Sequence, residues 1–157
     1  MLKKYLFVFL MSMVPIVELR GAIPFAFGLG VDPIPAYIIS VIGNMIPVPF
    51  IYFFARKFLV WGEDKRFIGK FCTFFVEKGE KAGQKLVSKT GRGGLFVALL
   101  LFVGIPVPGT GAWTGTLAAS FLDMGIKSTA IAVSLGVILA GIIMGVASAA
   151  GFSMIGM

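Results

Sequence analysis

Residues 5–31 read YLFVFLMSMVPIVELRGAIPFAFGLGV, an apolar run with Pro15, Glu18, Arg20 and Pro24 at its centre. It exceeds the roughly 20 residues that an α-helix needs to cross a hydrocarbon core about 30 Å thick. Its interior is wrong for a plain crossing. A charge near mid-bilayer costs about 2.5–3.5 kcal/mol on insertion scales, and proline removes a backbone donor. A broken helix is expected over 5–31, with the chain turning near the two charges, and Gly21 and Pro24 as the residues that loosen it. Residues 94–122 repeat the pattern, with Pro106, Pro108, Gly109 and Gly111 in the break. Residues 36–57 and 128–152 lack such a cluster and read as ordinary transmembrane helices.

Each half of a broken stretch is roughly 15–20 Å long at 1.5 Å per residue, too short to span alone. Paired halves that enter and leave on one face make a re-entrant hairpin, tolerated where protein or a water-filled cavity shelters the exposed backbone. One hairpin plus one crossing is an odd number of traverses, so the second half starts on the opposite face and is inverted. A short match supports the repeat. Val17 to Pro24 aligns with Val107 to Thr114 through the leading Val and the central Gly-Ala, and acidic turns follow at Asp32 and Asp123. The expected fold is all-α and integral to the membrane: an inverted repeat of re-entrant helical hairpin plus transmembrane helix, forming one domain. The plainer reading is four crossings, two of them kinked at proline.

Composition agrees with a membrane setting. The chain of 157 residues is 58% hydrophobic and 13% charged, against roughly half apolar and a quarter charged in soluble domains. There is no His and one cysteine, Cys72, so His-rich zinc sites, Ser-His-Asp hydrolysis, CxxC redox chemistry and an internal disulfide are ruled out. No enzymatic activity, cofactor or metal is expected. Lys3 and Lys4 before an apolar run resemble a signal peptide, but a cut after Ala22 would put Arg20 at −3, so cleavage is not expected.

The net charge of +7 is concentrated in one segment. Residues 61–93 hold eight basic side chains, from Lys65 to Arg92, against Glu63, Asp64, Glu77 and Glu80. The positive-inside rule puts this segment in the cytoplasm and accounts for the charge without nucleic acid. Phe67, Phe71, Phe74, Phe75, Ala82 and Leu86 recur at helical spacing, which suggests an amphipathic helix on the bilayer surface; a solvated loop that only sets topology is the alternative.

Glu18 and Arg20 are the ionisable groups deep in an apolar stretch. Desolvation favours the neutral form of a carboxyl, so Glu18 reads as a proton-coupling residue. Arg20 keeps its charge and offers a forked set of donors, either to tune Glu18 or to hold an anionic substrate group. The bland alternative is a buried ion pair that locks the fold, with one member reaching Asn44. Two positions apart on an intact helix do not face each other, so either the backbone breaks or the two have different partners. In the second break, Gly109 to Trp113 reads as a fresh helix start whose free N–H groups suit a carboxylate, phosphate or carbonyl. A substrate cavity lined by Gly21, Pro24, Pro106, Pro108, Gly109, Thr110, Gly111 and Trp113 follows. Gly136, Gly141 and Gly145 carry small-residue spacing for helix packing, within the chain or across a homodimer.

The runs Pro15 to Pro24, Gly43-Asn-Met-Ile-Pro47 and Ile105 to Gly115 resemble the signatures of the small multidrug export proteins of bacteria and archaea, over nearly the full length. That family is distantly similar to the DedA membrane proteins. The resemblance implies paired re-entrant hairpins, proton-dependent transport and lipid-carrier flipping; hydropathy alone gives ordinary spans. One departure stands out: DedA proteins carry arginines around the proline of the second hairpin, where this chain has Gly104, Gly109 and Thr110. The function expected is a proton-coupled multi-pass transporter of a small-molecule or lipid substrate. The alternatives are a flippase or scramblase for an anionic lipid carrier and a non-transporting membrane scaffold.

Overall fold

The computed structural model describes residues 2–155, leaving out the side chains of 55, 75, 76, 78–83 and 85–87. Among the described residues every regular element is helical. Helix α1, Leu2–Met13, is followed by α2, Glu18–Gly28. The break falls at 14–17, where Pro15 removes a donor and Ile16 and Glu18 take φ of 77° and 50°, costly values for residues other than glycine. The chain reverses there. Lys4 Nζ donates to the Leu29 carbonyl at 2.6 Å, and the Phe7 and Phe25 rings lie 5.4 Å apart. Gly21 and Pro24, expected in the break, sit inside α2 instead; the turn is made before them, at Pro15.

Helix α2 ends in a Schellman turn: Gly30, at φ 65°, donates to Phe27 and Val31 donates to Ala26. Pro33 then starts α3, a 31-residue helical rod over Pro33–Glu63. Pro47 and Pro49 leave carbonyls without helical donors, and a π turn over Ile51–Ala55 follows. Helix α4, Gly69–Gly104, is interrupted at Gly91 (φ 65°, ψ −178°). The segment 61–93 thus continues into the third apolar stretch. Phe67 lies before the helix, Phe71 and Phe74 are exposed, and the Phe75, Ala82 and Leu86 side chains fall outside the described residues. Helix α5, Ala112–Phe121, and α6, Ile126–Ile155, complete the chain.

The order helix, break, helix, turn, long helix occurs twice. The second turn has the same two closing bonds as the first, with Asp123 donating to Ser120 and Met124 to Ala119. Asp123 takes in its turn the position that Gly30 takes in the first, and the bond from Gly115 N–H to Gly111 O opens its helix as the bond from Gly21 N–H to Val17 O opens α2. The second break, 105–111, is longer than the first, 14–17, which defeats an ungapped alignment.

Helices α3 and α6 are antiparallel: the Tyr37 hydroxyl donates to Ile138 O at 3.3 Å, and Ser134 meets Met45. Arg56 of α3 reaches Ser120 and Asp123 beside the start of α6, while Phe152 returns to Phe27 at 6.0 Å. The long helices therefore connect the base of one hairpin with the base of the other. Leu19, Ile23, Val48, Val103, Ala112, Val133 and Val137 fill the core between them. Glycine permits two of the close approaches. A Cβ on Gly136 would lie 2.8 Å from the Leu100 carbonyl, and one on Gly141 would lie 2.5 Å from the Tyr37 ring. Gly145, expected to pack likewise, has no neighbour within 4 Å, since it lies beyond the contact with Tyr37.

Candidate functional site

The tips of the two hairpins meet through Glu18. Its side chain is 5% exposed and ends at the start of α5, where Ala112 N–H donates to Oε2 at 3.3 Å and Trp113 N–H to Oε1 at 3.1 Å. A helix N-terminus carries free donors and the positive end of the helix dipole, which suit a carboxylate. The anion cradle expected at Gly109 to Trp113 is present, and the chain's own acid fills it. Gly111 makes room: a Cβ there would lie 2.6 Å from Oε1 and 2.7 Å from Cδ of Glu18. The Trp113 indole also donates to Met13 O at 3.2 Å, tying the end of α1 to the same point.

Arg20 does the complementary work at the end of α4. Pro106 and Pro108 have no N–H to give to Phe102 O and Gly104 O, and the Val107 N–H turns to Ile105 O instead of Val103 O, so the ladder ends here with carbonyls short of helical donors. Arg20 Nη2 donates to Val103 O at 3.1 Å and Ile105 O at 3.2 Å, and Nη1 donates to Val107 O. The Thr110 hydroxyl lies 3.0 Å from Ile105 O and 2.8 Å from Val107 O. Cation at a helix C-terminus and anion at a helix N-terminus are the signs the backbone dipoles favour. Two residues of the first hairpin thus cap both sides of the second hairpin's break.

The ion-pair reading of Glu18 and Arg20 is corrected here. Glu18 and Arg20 bond different partners, two backbone N–H groups for the one and three carbonyls for the other; Arg56 pairs with Asp123. Arg20 does not bond Asn44 Oδ1 either. Asn44 is 1% exposed and its Oδ1 has no hydrogen-bond partner; neighbouring Gly43 packs on α1, where a Cβ would lie 2.7 Å from Phe9 O.

Beside the tips opens a cleft of about 790 Å³, within the range for drug-sized ligands. Glu18, Arg20, Gly21, Pro106, Pro108, Gly109, Thr110 and Trp113 line it, whereas Pro24, Gly111 and Asn44 do not. The sequence reading missed Pro15, Ile16, Val17 and Thr114, and also Ile51, Phe58, Leu59, Leu117 and Met144 from other helices. Pro15 was visible as a breaker; the distant apolar residues carry no local signal. It also missed the clasp at the other end of α5, where Arg56 donates to Ser120 O at 3.1 Å and the Ser120 hydroxyl donates to Tyr52 O, in the π turn, at 3.0 Å.

Two helices long and apolar enough to cross a bilayer, Pro33–Glu63 and Ile126–Met154, carry two shorter hairpins whose tips enclose an apolar cleft with an acid and an arginine in its wall. That is the build of an all-helical membrane protein. A family model described as small multi-drug export protein matches residues 18–143, from Glu18 through both breaks, and the chain belongs to that family, whose name denotes a kind of membrane transporter. No curated protein and no solved structure matches the chain.

Proposed function

We propose that the protein is a proton-coupled transporter, with Glu18 as the residue that carries the coupled proton in the cleft. The observation that carries this reading is the position of the Glu18 carboxyl. It is buried, it forms part of the cleft wall, and it links the two hairpin tips through Ala112 and Trp113. Protonation removes the negative charge that the α5 N-terminus complements and weakens the link. Loss of the proton restores it. A proton on Glu18 therefore favours parted tips and an ionised Glu18 favours joined ones, the two-state element that alternating access needs.

In this reading the hairpins are re-entrant. Helices α1 and α2 have 12 and 11 residues, about 18 and 16 Å, half of a bilayer. From Pro33 to Arg56 is about 35 Å along α3, a full crossing, and α6 returns. The halves are then inverted, each hairpin entering from its own face and meeting the other at mid-depth. Eleven of the fourteen basic residues lie at 56–92 or at Lys127, which supports a cytoplasmic location for that end. Likeness to the DedA proteins rests on the motifs.

The test is proton flux in pyranine-loaded proteoliposomes on addition of drug-sized lipophilic ions, ethidium and 8-anilinonaphthalene-1-sulfonate among them. Wild type moves protons with at least one of them. Glu18→Gln, which keeps an oxygen to accept an N–H, stays folded and moves none. Undiminished flux in Glu18→Gln refutes the proton role.

A further inference from the structure

We infer that the cleft opens sideways into the lipid rather than into water, and that its cargo is a lipophilic anion held by Arg20. The inference rests on the transport reading for its setting and names the substrate class of the same site.

The exposed part of the lining, its mouth, is largely apolar. On the first hairpin it includes Pro15 and Ile16, the latter 97% exposed. Pro108 of the second hairpin and Phe58, 57% exposed, belong to the same exposed lining, with Gly109 and Thr114 beside them. Exposing a whole isoleucine at φ 77° sets an unfavourable hydration on top of a strained backbone. Against acyl chains the first cost vanishes. Ile105 and Val107, each 49% exposed, continue the apolar surface around the second tip. A solute that reaches the floor through this mouth has first partitioned into the bilayer.

The two charges on the wall are not equally available to it. Glu18 is 5% exposed and accepts from two backbone N–H groups, so its charge is already complemented. Arg20 is only half-buried. Of the five N–H donors of a guanidinium, three serve Val103, Ile105 and Val107. The Nε–H and one Nη1–H have no protein acceptor among the described residues. The unused directional charge in the cleft is positive, and it selects an anionic or acceptor group over a cationic one.

The test uses tetraphenylborate and tetraphenylphosphonium, ions of matched shape and opposite charge. Each is titrated by calorimetry into nanodiscs holding the full chain, with empty nanodiscs subtracted to remove partitioning. The expected result is a specific site that binds tetraphenylborate about tenfold or more tighter than tetraphenylphosphonium, with the preference lost in Arg20→Gln. Equal binding, tighter binding of the phosphonium, or a preference that survives in a folded Arg20→Gln overturns the assignment, and the wild-type comparison decides even if that variant does not fold. Access is read separately. A nitroxide at Ile16→Cys, in a Cys72→Ser background, is expected to collide more with oxygen than with a water-soluble nickel chelate; the reverse order overturns the sideways opening. Neither measurement needs a pH gradient. Loss of proton flux with the charge preference intact counts against the transport reading alone, and the converse against this inference alone.

Discussion

Replacing Gly111 by alanine isolates the contact on which the account turns. Gly111 has φ 170° and ψ −172°, an extended conformation open to any residue, so the added methyl strains no backbone. It meets Glu18 instead, 2.6 Å from Oε1 and 2.7 Å from Cδ, and the carboxylate has to leave the α5 N-terminus. The bonds given up are the two from Ala112 and Trp113, at 3.3 and 3.1 Å. Hydrogen bonds to charged groups contribute about 1.5–3 kcal/mol each; at these lengths the lower end applies, and about 2–4 kcal/mol of stability is expected to go. In a Glu18→Ala background the methyl enters vacated space and costs under about 0.5 kcal/mol. Thermal or denaturant unfolding of the four proteins in one detergent gives the coupling as a double-mutant cycle. A Gly111→Ala penalty of the same size with and without Glu18 refutes the reasoning.

The long-helix contacts divide in the same way. Gly136→Ala places a methyl 2.7 Å from Val103 Cβ and 2.8 Å from Leu100 O, so α4 must shift, and a loss of about 1–3 kcal/mol is expected in the same unfolding assay. Gly145→Ala meets nothing within 4 Å and is expected to be neutral or to stabilise by up to about 1 kcal/mol, the helix-propensity gain. Asp123 pairs with Arg56 through side chains 76% and 36% exposed, worth under about 1 kcal/mol, and it holds φ 48°. Asp123→Gly, which relieves that φ, is expected to melt within a few degrees of wild type and above Asp123→Ala.

Much of this was legible in local chemistry. Prolines marked both breaks and buried charges the first, and Gly109 to Trp113 announced a helix start, because the absence of a donor and the presence of free N–H groups are properties of the chain itself. The occupant of that start was not legible. Glu18 lies 94 residues from Ala112, and the choice between an outside anion and an internal carboxylate belongs to packing. Arg20 was read as free to pair with Glu18 or Asn44, since nothing local says that the Val103, Ile105 and Val107 carbonyls of the second break would face it. Asn44 was legible as polar and deep, but the surroundings of Oδ1 depend on how α1 crosses Gly43. Gly145 shares the spacing of Gly136 and Gly141 yet faces no neighbour, because spacing fixes a face of the helix and not how far along it a partner reaches.

The central claim is that two half-depth hairpins, one from each side, meet at Glu18 and Arg20. It is tested most directly by labelling single cysteines with a membrane-impermeant thiol reagent in a Cys72→Ser background, in sealed vesicles of known orientation. Lys3→Cys and Asp32→Cys, on either side of the first hairpin, are expected to label from one and the same side. Gly93→Cys and Lys127→Cys, on either side of the second, are expected to label from the opposite, cytoplasmic side. If Lys3→Cys and Asp32→Cys label from opposite sides, the first stretch is a kinked crossing and the account fails.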